Sequence, residues 1–498
     1  MLAVRFRLFG LPARGYDFDN DGLLTGAGDE TLTRDPGDGL ITGSTLGGVT
    51  SAVTYDGFGE PLTDTVTDGA TNLYSVGYTR DNLGRITQKT ETVNGTTATW
   101  LYGYDGDGRL NAVTENGLPV ASYGYDQNGN RVSVNAAMIA TYDDQDRLLT
   151  FGSNSYTYNA NGELLTKTNP GGTASYTWDV LGNLQAVKLP SGTAVTYLYD
   201  GQNRRVGKEV NGTLTEGFLY DGQLEPVAEL DGSGNIVEQF VYGTRPNVPD
   251  YIIKAGVEYR VISDQVGSPV LIVNASTGAV AEQVTYDAWG NISSDSNPGF
   301  QPFGFAGGLY DLGTGLVHFG ARDYDPQTGR WISKDPILFA GAGPNLYAYV
   351  VNDPVDLDDQ MGLHWEYSQS TGIVTYVSDE NGERYSVGSA YSGNGAGLNN
   401  PNMADLPNIG PIPVGLYYIG APETVVTNEG HVLQYALPLT PFSGNEMHGR
   451  SGFFWHGPKR NDTGKTSSNG CIVSDRRLRK LVASMRNSPP DDILQVVP

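Results

Sequence analysis

A Tyr-Asp pair recurs along the first part of this chain at nearly constant spacing, and that recurrence limits what the chain can fold into. The pairs are Tyr55-Asp56, Tyr104-Asp105, Tyr125-Asp126, Tyr142-Asp143, Trp178-Asp179, Tyr199-Asp200, Tyr220-Asp221 and Tyr286-Asp287, with Tyr158-Asn159 as a variant. From Tyr104 onward the first six intervals are 21, 17, 16, 20, 21 and 21 residues. A period in this range marks stacked supersecondary units, each too small to bury a core alone. Each unit reads as strand, Asp-Gly or Asn-Gly turn, strand, because those dipeptides accept the positive φ of a tight hairpin. Val195, Tyr197 and Tyr199 share one face of such a strand, closed by Asp200-Gly201. With 67 glycines, 30 tyrosines and only 17% charged residues, the composition is that of a turn-rich β protein. The Tyr-Asp pairs are read as packing and turn residues, with no chemistry assigned to them.

Composition also excludes several classes of function. A net charge of −25 argues against nucleic-acid binding. No apolar run approaches the roughly 18 residues that a membrane helix needs, and Met1–Arg7 does not lead into the apolar core and cleavage site of a signal peptide. A single cysteine forbids an intrachain disulfide. Without CxxC, HExxH or a histidine cluster, neither a metal nor a cofactor is expected. Asp17, Asp19, Asp21 and Gly22 match the opening of a calcium loop. Its twelfth position is Gly28 rather than a bidentate glutamate, so a divergent repeat turn is the preferred reading. From His364 onward there are 12 acidic and 10 basic residues, and nine of those ten lie at or after Arg450. A basic bias of that kind suits an anionic substrate.

Cys471 ends the run Ser468-Asn469-Gly470-Cys471, fifteen residues after His456. The pair supplies a nucleophile and a base. A neutral imidazole near the sulfur is expected to favour the thiolate, since a thiol of pKa about 8.5 is only a few per cent ionised at pH 7. Gly470 permits close backbone approach, so N–H groups near Cys471 can face a developing oxyanion. The competing reading is a buried structural cysteine. Phe453–Trp455 reads as a strand with His456 at its end, whereas His448 is the alternative base, or a rim residue with Arg450. His318, His364 and His431 read as structural. A helix is expected after Ser474, with Leu478, Leu481, Val482 and Met485 on its apolar stripe.

These C-terminal residues resemble the L,D-transpeptidase family, and in particular its secreted antibacterial branch. Tyr391-Ser392-Gly393, Gly410–Tyr417 and Gly449–Gly457 carry the resemblance, together with Ser468–Cys471. It implies Cys471 as the acylated nucleophile, His456 as base, and an oxyanion turn built by Ser468, Asn469, Gly470 and Cys471. Asn469 stands where the family has a second histidine, and the gap from His456 to Ser468 is short. The implied substrate is the stem peptide of peptidoglycan, the implied partner a cognate immunity protein, and the implied place of action the periplasm of a target bacterium after secretion. A papain-like (NlpC-type) peptidase is an alternative, although that fold sets the cysteine before the histidine. A non-enzymatic repeat protein of the cell surface is another.

The upstream units resemble YD repeats of the Rhs family, most specifically in Gly320–Pro336, Asn345–Tyr349 and Asn352–Val355. The resemblance implies a β-sheet shell over residues 1–320, a closing segment over 321–363, and a toxin domain over 364–498. It further implies self-cleavage after Leu363 by Asp335 and Asp359, two carboxyls sharing a proton. Gln360 replaces the family's proline beside Asp359. The chain begins mid-repeat without a delivery module, as expected of a truncated or orphan form of a longer secreted protein. The expected fold is all-β dominated: a shell segment, then a smaller mainly-β domain with a C-terminal helix.

Overall fold

The computed structural model describes residues 2–6, 14–20, 23–37, 39–57, 59–221, 225–245, 247–335, 345–359, 364–377, 384–420, 423–426, 432–441, 445, 447–457, 470–474, 479, 482 and 493–497. They fall into two compact units, residues 1–334 with 347–360, and residues 335–346 with 361–498. The first unit thus takes in most of the expected closing segment.

In the first unit, strands pair with their neighbours in sequence. A 14-stranded antiparallel sheet runs from Leu2–Phe6 to Ala137–Met138, and a 16-stranded sheet from Ala140–Tyr142 to Ile292–Asp295. The Tyr-Asp pair explains the period. Asp200 Oδ1 accepts hydrogen bonds from the Gln202 and Arg204 N–H groups at 2.9 and 3.0 Å, and its Oδ2 receives the Arg204 guanidinium at 2.7 Å. Asp81, Asp105 and Asp143 bind their own turns in the same way. The aromatic partner reaches backwards. The hydroxyls of Tyr125, Tyr199, Tyr220 and Tyr242 donate to the carbonyls of Leu110, Leu184, Arg205 and Pro226, and Trp178 Nε1 donates to Leu164 O. Aspartate shapes the turn; the aromatic fixes the spacing to the preceding unit.

Positive φ falls elsewhere than the Asp-Gly dipeptides suggest. It sits three residues after the aspartate, at Gly84 (+87°), Gly108 (+86°) and Gly182 (+92°), and at Asn203 (+64°) in the Asp200 turn. The opposite hairpin ends, Asn94-Gly95, Asn116-Gly117 and Asn211-Gly212, do carry positive φ at both positions, as a type I′ turn requires. Asp19 Oδ1 accepts from the Leu23 N–H at 2.9 Å, the same bond to the fourth following residue that the other turn aspartates make, while Asp21 and Gly22 lie outside the described residues.

The two large sheets meet at defined points. The Gly48 N–H donates to Ala275 O at 2.7 Å, and a Cβ on Gly47, at φ +58°, would collide with that same carbonyl. Arg260 pairs with the buried Glu30. Residues 303–334 and 347–359 add a compact insert around Phe305, Phe319, Tyr324, Trp331 and Tyr349. Buried arginines tie it to the sheets. Arg131 stacks on Trp289 at 4.2 Å and donates to Thr328 O at 2.7 Å. Arg205 lies 3.8 Å over Tyr197 and contacts both carboxylate oxygens of Asp323 at 2.9 Å. Arg330 donates to Asn130 Oδ1 at 2.7 Å. His318 lies buried, 3.4 Å from Asp323, as a structural residue would.

The second unit holds a nine-stranded mixed sheet. Its order is Gly415–Ile419, Ile493–Val497, His364–Ser368, Ile373–Val377, Arg384–Ser392, Ile472–Ser474, Phe453–His456, Val432–Pro441 and Glu423–Val426. Gly415–Ile419 pairs also with Val432–Pro441, which closes eight of the strands into a ring. The core is Tyr367, Val374, Ile412, Tyr417, Leu437, Phe453, Trp455, Ile472 and Leu494 with their neighbours. Of the C-terminal helix, Arg479 and Val482 are described and are helical, and Val482 joins this core. His431 lies outside the described residues.

Two predictions test the first unit. Asp200→Ala removes the turn's central acceptor and should lower stability by about 1–3 kcal/mol, measured by denaturant unfolding; an unchanged midpoint would show the turn to be indifferent to it. The second concerns pH. Burial, opposed by the hydrogen bonds from Arg204 and its neighbours, leaves Asp200 below the usual carboxylate range, and Asp81 and Asp143 behave alike. Their contribution is present above pH ~4 and is lost as pH falls through the lowered values. Burial instead raises Glu216, Glu225 and Glu282 to about 7. Their contribution is complete at low pH and is lost as pH rises through about 7. The folded state should therefore be most heat-stable near pH 4 to 5 and weaken as pH rises towards about 7, and a melting temperature that climbs from pH 5 to 7 would refute this balance.

Candidate functional site

The alternation of a strand decides which side chains of the second unit meet. Phe453–His456 runs parallel to Ile472–Ser474, with Trp455 opposite Ile472 and His456 opposite Val473. Trp455 and Ile472 face the core, and Trp455 Nε1 donates to Ser474 Oγ on the same face at 2.8 Å. His456 and Val473 therefore face the other side. Continued one residue back, the alternation puts Phe454 and Cys471 on that side too, and the Phe454 N–H donates to Cys471 Sγ at 3.3 Å. His456 and Cys471 are thus diagonal neighbours on one face, a separation of about 7 Å between backbones that two converging side chains can bridge.

His456 is 4% exposed and its Nδ1 lies 2.8 Å from Gly457 O. A carbonyl oxygen can only accept, so Nδ1 carries the proton and Nε2 is the basic nitrogen. The sulfur of Cys471 is enclosed by protein on nearly all sides, although the residue keeps some exposed surface. Burial pushes this thiol up to about 11, offset in part by the Phe454 N–H and by the Arg450 guanidinium. The sequence-based expectation of a resting thiolate is therefore not met: a neutral imidazole brings no charge to oppose desolvation.

Arg450 is not a rim residue. It is 9% exposed, and its guanidinium donates to the carbonyls of Ala404 (2.5 Å), Pro411 (2.6 Å) and Gly410 (3.1 Å). It lies 5.1 Å over the Phe453 ring and packs against the α-carbon of Gly470, where φ is +117°. Any side chain at position 470 would strike it. Gly470 O accepts a hydrogen bond from the fully buried Ser392 Oγ at 3.0 Å, and Ser392 Oγ in turn accepts from the Ile412 N–H at 2.8 Å. Opposite, Arg479 packs against the α-carbon of Gly457 and donates to Tyr435 O. Ser392 and Arg479 were not assigned roles from sequence; the small residues each one touches, Gly470 and Gly457, were the available signal. His448 is exposed with φ +51°. Ser468 and Asn469 lie outside the described residues.

Asp359 belongs to the first unit, where it is buried and paired with Arg322 Nη2 at 2.7 Å; Arg322 in turn lies 4.1 Å over Trp331. Asp335 groups with the second unit, its N–H donating to Leu346 O at 2.8 Å. Gln360 and Leu363 lie outside the described residues.

Comparison with known proteins follows this division. Residues 387–493 match the Tlde1 domain. Human Teneurin-4 is 31% identical over 318 residues, covering 60% of this chain and 11% of that protein. The tRNA3(Ser)-specific nuclease WapA of Bacillus spizizenii is 29% identical over 295 residues, covering 58% of this chain and 11% of its own length. The chain therefore spans about a tenth of the length of these curated relatives. Among solved structures, that of TcdB2-TccC3-Cdc42 aligns over 70% of this chain and 22% of its own at 17% identity, with a TM-score of 0.47. The Teneurin YD-shell model matches residues 2–355, and with its sequential sheets and Tyr-Asp turns the chain belongs to the Teneurin YD-shell family.

Proposed function

We propose that the second unit is a cysteine-dependent acyl-transfer enzyme acting on peptidoglycan stem peptides, the toxic part of a secreted antibacterial effector. The observation that carries this reading is the parallel register that sets His456 and Cys471 diagonally on one face. The Tlde1 match over the same residues and the basic bias after Arg450 support it. The Cys471 sulfur attacks the carbonyl carbon of an L,D-peptide bond as its proton passes to Nε2 of His456. The carbonyl electrons move to oxygen, where N–H groups at the Gly470-Cys471 turn receive them. Collapse breaks the C–N bond, and His456 returns the proton to the departing D-alanine amine. Water, deprotonated by His456, then cleaves the thioester and restores the thiol; an amine in place of water gives exchange. Cys471 leads into a strand and follows the histidine in sequence, which disfavours a papain-like arrangement. An immunity protein that covers this site is the expected partner.

Cys471→Ala should abolish trimming of muropeptides from purified sacculi by the full chain, measured by mass spectrometry; retained trimming would sink the mechanism. His456→Ala should slow it by about two to four powers of ten, and a larger loss in His448→Ala would move the base to His448. Toxicity should appear when the protein is directed to the periplasm and not when it is kept in the cytoplasm, because the stem peptides of the wall lie outside the inner membrane.

Self-cleavage after Leu363, with Asp335 and Asp359 as the candidate carboxyls, is part of the same proposal; Asp359 is buried and held by the Arg322 guanidinium at 2.7 Å, which suits a carboxylate acting as a base rather than as an acid. Purified protein should then yield a C-terminal fragment of 135 residues beginning after Leu363, and Asp359→Asn should leave one full-length band. A wild-type chain that stays intact would leave the two aspartates as structural residues.

A further inference from the structure

We infer that Arg450 is a positioning residue that sets the ionisation of the nucleophile, a fixed buried cation doing electrostatically what a second histidine in the turn would otherwise do. The inference rests on reading Cys471 as the nucleophile. Three observations carry it. First, the guanidinium is held by carbonyls from two separate stretches, Ala404 and Gly410-Pro411, so its place does not depend on the site being occupied. Second, it contacts the α-carbon of Gly470, the residue before Cys471, and only glycine leaves room for it. Third, none of its described hydrogen bonds goes to a carboxylate, so its charge is spread over neutral carbonyls and still acts on its surroundings.

Among the described residues, the titratable groups around the pair are few. Tyr417 donates its hydroxyl to Pro413 O at 2.7 Å, and burial holds it far above its usual range, so it is neutral. Asp405 acts on Arg450 only as the weakest of its electrostatic neighbours. His456 lies on the parallel strand, its Nδ1 at Gly457 O. Among the described residues, Arg450 is the cation acting on the sulfur, and it counters the burial that pushes the thiol up. The consequence is a thiol that is protonated at rest and stays within reach of deprotonation by His456. Arg450 also links the Gly470 backbone to the Gly410-Pro411 stretch, so one side chain serves both the charge and the turn's shape.

The test is alkylation of Cys471 in the full chain by iodoacetamide, followed across pH 6–11 by peptide mass spectrometry, which needs no substrate. Below the thiol's pKa the rate follows the thiolate fraction, so a rise of one unit slows the reaction tenfold. Arg450→Met should slow alkylation at pH 8 on the order of tenfold and shift the profile upward, while Arg450→Lys should recover most of the rate. A folded Arg450→Met protein, checked by circular dichroism, with the wild-type profile would overturn the inference. If that variant fails to fold, the wild-type profile decides: a buried cation should leave it nearly unchanged between 0.05 and 1 M salt. A large salt shift would assign the effect to exposed basic residues instead. Muropeptide trimming by the same samples separates the two claims. A shifted profile without trimming in the wild type would reject the proposed substrate and keep the role of Arg450; trimming with an unshifted profile would do the reverse.

Discussion

The carboxylate that folds back onto its own turn is the interaction from which the first unit is built. At Asp126, Asp143 and Asp200 the aspartate accepts from backbone N–H groups two and four residues later, so the reversal is decided locally and does not await a distant partner. The aromatic hydroxyl then reaches the carbonyl of the preceding unit. These two acts, one within a unit and one between units, turn a linear repeat into a sheet whose strands pair in sequence order. Where the turn residue at the positive-φ position is not glycine, it is Asn203 or Asp146, the side chains that tolerate that region best.

Cations placed among carbonyls and aromatic rings recur in both units. Arg131, Arg205, Arg322 and Arg330 in the first unit, and Arg450 in the second, each combine a ring contact with fixed oxygen acceptors. A guanidinium suits this because its planar face stacks while its edge donates several hydrogen bonds, which a lysine cannot do at once. In the first unit the arrangement binds the insert of residues 303–334 and 347–359 to the sheets. In the second it holds a loop against the candidate nucleophile. The same chemistry is used once for cohesion and once beside a reacting atom.

Much of this was legible in the sequence, and the exceptions have physical reasons. The all-β character, the hairpin units, the strand Phe453–Trp455 with His456 at its end, and the family of the first 355 residues all follow from spacing and residue type. What sequence did not show was the position of the strained residue in the aspartate turns, because Asp-Gly is a strong local cue and the fourth turn residue a weak one. Nor did it show that Arg450 is buried. An arginine in a glycine-rich stretch reads as exposed until three carbonyls from residues 39 to 46 positions earlier are seen to surround it. The expected thiolate failed for a related reason: sequence shows which groups are neighbours, and not how much water they lose.

The sequential order of the two large sheets also bears on how such a chain comes into being. Each strand finds its partner in the stretch just made, so the sheet can extend as the polypeptide lengthens, without long loops waiting to close. Residues 303–334 and 347–359, which carry the ring-stacked insert, come after the described strands of both sheets. The sheet would therefore stand as an unfinished wall for most of its synthesis, and its final locking contacts become available only when the last part of the first unit emerges.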